Sequence, residues 1–307
     1  MENKRHLKDQ LVNEAYEIIE TKLVPNKNFN SHLYFKNKKT VKIIMVNFDG
    51  FKNNKKYRLK NLQDHKYERA SNEDIILSGT LALYSGKYNT IYINESKNST
   101  ELLVHEFLHM ANYESEENPG FMCRFGDDYF EHLNEGIVQY LTRKLVEKKE
   151  SSNCIYSSQV RIAMLLEYIV GEDELLYYFS NLKFREMNKA FPLPKEKFAI
   201  LKLACLTENF HDLLDEKLNY ERTKKEIKKL DQKASRTLDL IQKLLTELYT
   251  SHRLKYATKE EVEKFLNSLI TVDVDNPMIQ ELLKPVLPKK ENIHKKMNLK
   301  IKKYIRE

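Results

Sequence analysis

A chain of 307 residues is long enough to bury a sizeable core, in one large domain or two small ones. With 41% hydrophobic and 32% charged residues, and with 18 Tyr and 14 Phe, the composition excludes a disordered polymer and describes a folded one. The net charge of +7 is concentrated: residues 284–307 carry nine Lys or Arg against two Asp or Glu, so the rest is close to neutral and no nucleic-acid partner is expected.

Three widely spaced cysteines, Cys123, Cys154 and Cys205, form no CxxC pair. That argues against a disulfide framework and against a thiolate zinc site, and fits reduced thiols. The first eight residues lack the apolar core of a signal peptide, and no run of 18 apolar residues occurs, so no transmembrane segment is expected. The expected location is cytoplasmic, with export by a non-classical route left open.

In chain order, residues 7–24 have helical apolar spacing and stop before Pro25. A polar stretch to about 39 precedes a strand over 41–46, which ends at an Asp49-Gly50 turn. A Lys/Asn-rich loop or insertion covers 51–72, and strands are predicted over 75–84 and 90–94. Asn98 and Glu101 have the spacing of a capping box and open a helix to about 114. A loop through Pro119-Gly120 leads to a second helix over 127–148, with Asp127 and Asp128 as helix-dipole partners in its first turn. Helices then follow over 157–170, 172–182, 195–217, 221–250, 258–270 and 290–305.

The fold class expected is α+β, with a small twisted sheet early and helices afterwards. We expect a catalytic domain over 1–218, its sheet at about 40–95 and its site helices at about 98–148. A helical extension over 219–307 would end in a basic amphipathic tail. The stripe of Ile227, Leu230, Leu238, Ile241, Leu245 and Leu248 reads as an intramolecular packing face. The tail helix, with Lys295, Lys296, Lys300, Lys302 and Lys303, could contact an acidic surface.

Chemistry concentrates in His105-Glu106-Phe107-Leu108-His109, an H-E-x-x-H pattern inside a predicted helix. Histidines four apart lie one turn above another on one face, so both rings can reach one metal. Glu106 lies about 100° round the helix from His105, which suits a general base better than a ligand. Leu103, Phe107, Met110 and Ala111 occupy the face that would enter the core. A catalytic zinc site asks for a third protein ligand and an open position. The next predicted helix carries His132-Leu133-Asn134-Glu135-Gly136, with Tyr140 four residues past the glycine.

These two segments resemble the two halves of the gluzincin signature, and Leu-Asn-Glu-Gly with the following Tyr is similar to the aminopeptidase N and thermolysin-like clan and to a group of low-GC bacterial gluzincins. The resemblance covers His105 to Thr142. It implies a zincin-like domain, a Zn2+ cofactor held by His105, His109 and Glu135, and a metallopeptidase with Glu106 as general base. A peptide or protein would be the substrate. Zincins bind it along a sheet edge, for which residues 75–84 or 90–94 are the candidates.

The chain departs from the family pattern at several places. Twenty-five residues separate His109 from Glu135, more than the familiar spacing, and no G-x-M-E-N segment occurs, so an endopeptidase is expected over an exopeptidase. Gln139 stands where thermolysin-like enzymes place an Asp. His132 is a rival ligand to Glu135, read otherwise as a partly exposed polar residue at a helix start. Tyr140, Tyr156, Tyr177 and Tyr178 are candidates for an oxyanion-stabilising role that spacing does not assign. The competing reading is a non-catalytic zincin-like scaffold or helical interaction protein with zinc structural or absent. Substrate, cleaved bond and oligomeric state are not legible.

Overall fold

The computed structural model describes residues 2–46, 82–86, 88–94, 99–115, 120–121, 123–125, 128–147, 157–217 and 223–270. The expected Asp49-Gly50 turn, the 51–72 segment, most of the 75–84 strand, Cys154, Tyr156, the boundary at 218/219 and the tail helix lie outside these residues. Among the described residues the chain is mostly helical with one small mixed sheet and one hairpin, an α+β arrangement. None of the described helices is long and apolar enough to cross a membrane.

Contacts divide the described chain into two interleaved units. The first takes residues from 1–121, 141–149 and 176–183, and the second from 122–140, 150–175 and the chain from 184 onward.

In the first unit, α1 (Glu2–Lys22) buries Ala15 and Ile19, four residues apart on one stripe, and Leu23 just past its end is buried as well. A second helix, α2 (Ser31–Lys38), occupies the stretch expected to be irregular. It starts because Asn30 accepts a hydrogen bond from the Leu33 N–H at 3.1 Å, and it buries Leu33, Tyr34 and Asn37. Strands β1 (Lys42–Val46), β2 (Ala82–Ser85) and β3 (Thr90–Asn94) form a sheet in the order β1-β3-β2. β1 runs parallel to β3 with Lys42 opposite Thr90, and β2 runs antiparallel with Ser85 opposite Thr90. β3 is buried along its whole length, as its continuous Ile-Tyr-Ile run suits a central strand.

The site helix of this unit is α3 (Thr100–Ala111). Its N-cap is Ser99, which accepts from the Leu102 N–H at 3.2 Å; the expected capping pair of Asn98 and Glu101 is therefore displaced by one residue. α1, α2 and β2 all pack on α3. Leu103, Phe107, Met110 and Ala111 are fully buried as expected, and the Phe107 ring stacks on Tyr16 at 4.2 Å and 8°. Burying a side chain of this size contributes about 1.5–3 kcal/mol. Asn37 of α2 donates to the carbonyls of Met110 and Tyr113 at 2.8 and 2.7 Å, satisfying acceptors at and beyond the C-terminal end of α3.

The second unit begins with a hairpin of β4 (Cys123–Phe125) and β5 (Asp128–Phe130), paired antiparallel. The helix expected from 127 starts only at His132, so Asp128 belongs to a strand and not to a helix turn. This helix, α4 (His132–Leu145), is continuous; its residues to Tyr140 belong to the second unit and Leu141–Leu145 to the first. α5 (Ser157–Val170), α6 (Glu172–Ser180), α7 (Phe184–Ala190), α8 (Ala199–Lys217), α9 (Lys224–His252) and α10 (Lys259–Ile270) follow. α7 is a further helix that periodicity does not reveal. α8 packs along α9, and α9 and α10 pack on α5. Of the α9 stripe, Leu230, Leu238, Ile241, Leu245 and Leu248 are buried within the unit, whereas Ile227 near the helix start is half-buried.

Candidate metal centre

α3 presents both imidazoles from one face. Their Nε2 atoms lie 3.1 Å apart, and the ring centroids are 4.8 Å apart at 64°. Two nitrogens each 2.0–2.1 Å from one tetrahedral ion would be separated by about 3.3 Å. The imidazoles thus stand at a separation suited to a shared metal. His105 is buried, and His109 is partly open.

Glu135 offers a third candidate ligand atom. It lies one turn into α4, and the ligand atoms of His105, His109 and Glu135 all lie within 4.8 Å of one another. Two imidazole nitrogens and one carboxylate oxygen form a donor set suited to zinc and to other divalent transition metals. This is the one such group among the described residues. Glu106 follows His105 on the helix and is only 5% exposed, so its carboxylate is held in a water-poor setting beside the two ligands.

His132, the rival ligand, stays out of this group. It opens α4, and its backbone N–H donates to Glu208 Oε2 of α8 at 3.2 Å. Its Nε2 lies 3.9 Å from Glu208 Oε1, and its ring packs at 4.6 Å from His211. The Gln159 amide of α5 bridges the two rings at their edges, with Nε2 at 3.3 Å from His132 Nδ1 and 3.2 Å from His211 Nδ1. An amide carries two N–H donors, so both rings accept at Nδ1 and carry their proton on Nε2. The Nε2–H of His211 then donates to Ser158 Oγ at 3.2 Å. Burial, and secondarily His132, holds the His211 pKa well below the usual imidazole value. Burial pushes the Glu208 carboxyl up, partly offset by His132 and by backbone N–H donors of Glu131 and His132. Sequence reading missed this cluster, because its members are distant along the chain and none belongs to a motif.

Of the tyrosines considered for an oxyanion role, Tyr140 donates to Glu167 at 2.8 Å, and burial with that carboxylate raises its pKa. Tyr177 is exposed and meets Tyr178 edge-on. Among the sheet edges, residues 90–94 form the central strand β3 and have no open edge, which removes them as a substrate-binding strand. β2 remains an edge among the described residues, and it packs on α3. Cys205 is a free, half-buried thiol whose pKa burial raises, consistent with a structural role.

Compared with known protein families, with curated proteins and with solved structures, the chain matches none.

Proposed function

We propose that the chain is a zinc-dependent metallopeptidase of zincin type, in which His105, His109 and Glu135 hold the ion and Glu106 is the general base. The observation that carries this reading is the approach of three ligand atoms of the right chemistry to within 4.8 Å of one another. A bound zinc supplies Lewis acidity, making water nucleophilic near neutral pH and polarising a peptide carbonyl.

The protein's own part falls to a few side chains. His105 and His109 would hold the ion through their Nε2 atoms, which face one another on α3. Glu106, buried beside them, takes the proton from the attacking water oxygen and returns it to the leaving amide nitrogen. β2 is the strand along which an extended peptide could add, by main-chain hydrogen bonding that suits an endopeptidase.

The test is metal analysis together with hydrolysis of a quenched-fluorescent peptide library. Wild type and Glu106→Gln should each bind one zinc ion per chain, and Glu106→Gln should lose about 10²–10⁴-fold in hydrolysis. His109→Ala and Glu135→Ala should lose the zinc. Full zinc occupancy in Glu135→Ala would remove that residue from the site. Undiminished hydrolysis by Glu106→Gln would leave a scaffold in place of an enzyme.

A further inference from the structure

We propose that Glu208 and Gln159 are positioning residues that seat the first turn of α4 and thereby set where the Glu135 carboxylate stands. The inference rests on the metal-site reading above and adds residues that touch neither metal nor substrate.

The first N–H groups of a helix have no intrahelical partner, and a Ser, Thr, Asp or Asn just before the helix ordinarily supplies one. Here Phe130 and Glu131 precede His132, and neither is such a residue. The acceptor comes instead from α8, 76 positions downstream, where Glu208 receives the His132 N–H. Glu208 also receives the Glu131 N–H, so one carboxylate satisfies two successive donors. Its negative charge lies at the positive end of the helix, the orientation the helix dipole favours.

Gln159 fixes the same turn from a second direction. Its side-chain amide engages the His132 ring, and its backbone carbonyl lies so close to α4 that a Cβ on Gly136 would sit 2.5 Å from that oxygen. Residues 132 and 136 flank Glu135 on the helix, three positions before it and one after. Two helices, α5 and α8, therefore bracket the ligand residue through contacts to its neighbours. A ligand carboxylate must be held closely if it is to complete a metal site, and outer partners of this kind carry about ten- to a hundredfold in metal affinity.

The experiment measures zinc affinity by competition with a chromophoric chelator, alongside thermal unfolding of the metal-free protein. Glu208→Ala should bind zinc about ten- to a hundredfold more weakly. Glu208→Gln, which keeps one oxygen acceptor but not two, should fall between it and wild type. Thr223→Ala, which removes the capping box of α9 in the same unit, should lower the unfolding temperature and leave zinc affinity unchanged. Wild-type affinity in a folded Glu208→Ala would overturn the inference, as would affinity losses that merely track the unfolding temperature across all three variants. Should Glu208→Ala fail to fold, Glu208→Gln decides alone, and wild-type affinity there is the overturning result. A wild-type protein that binds no zinc, or a Glu135→Ala variant that binds it undiminished, overturns the metal-site reading itself and this inference with it.

Discussion

Gly136 stands in the interior of a helix, where alanine would be about 1 kcal/mol more favourable. It is nevertheless the residue that fits, because an added Cβ would meet the Gln159 carbonyl oxygen at 2.5 Å and the carbonyl carbon at 2.7 Å. Those atoms are backbone and cannot swing aside, so the clash outweighs the propensity gain. Gly136→Ala should therefore destabilise the protein by roughly 1–3 kcal/mol, read as a lower urea midpoint; an unchanged or higher midpoint would mean that α5 can retreat. The sequence shows this glycine only as part of a familiar-looking Asn-Glu-Gly string. Its physical cause lies on α5, more than twenty residues away, and no local pattern reports it. His105, Glu106 and His109 are the opposite case. Their spacing alone places them on one helical turn, and their 3.1 Å nitrogen separation follows from that geometry.

Among the elements, α3 and α4 differ in how they are started and stopped. Ser99 caps α3 locally, so Ser99→Ala should cost about 1 kcal/mol; a urea titration should register the loss, and an unchanged midpoint would show that water replaces the hydroxyl without penalty. α4 is finished by distant groups. Glu208 meets its first N–H, and Lys22 of α1 donates to the Leu145 carbonyl at 2.7 Å and to Glu147 at its other end. This difference explains which boundaries are legible. The start of α3 is readable to within a residue, whereas α4 appears to begin at Asp127 because an acidic pair imitates a helix start. The β4–β5 hairpin that occupies this region has strands of three residues, too short to display a period of two. α2 escaped for a related reason: in Ser31-His32-Leu33-Tyr34-Phe35-Lys36-Asn37-Lys38 the buried face includes Asn37, so no apolar stripe marks it. That same asparagine holds the carbonyls of Met110 and Tyr113 at the end of α3, so an element hidden from sequence reading supports the most readable one.

For the molecule as a whole, the cluster of half-buried His132 with buried Gln159 and His211 ties stability to pH. In the unfolded chain His211 titrates near 6.5, and in the folded chain burial holds it well lower. Between those values the unfolded state binds more protons, so stability rises with pH. The contribution of His211 is fully present above about pH 6.5 and is lost as pH falls toward the folded pKa. Glu208 acts in the opposite sense: its raised folded pKa gives a contribution present at low pH and lost as pH rises through it. Urea midpoints should therefore fall from pH 7 to pH 5 in wild type, and fall less steeply in His211→Gln. Equal slopes in the two proteins would acquit His211.

If the proposed metal centre forms, the two anchors of α4 would also govern when it can be finished during synthesis. Lys22 leaves the ribosome before α4 does, but Glu208 emerges 76 residues after His132. Both histidines can be in place on α3 well before then, giving a nascent chain with two of the three proposed ligands. If Glu135 is a ligand as proposed, its position is secured only when α8 arrives, so metal loading would follow the folding of α8 and not that of the first folded segment.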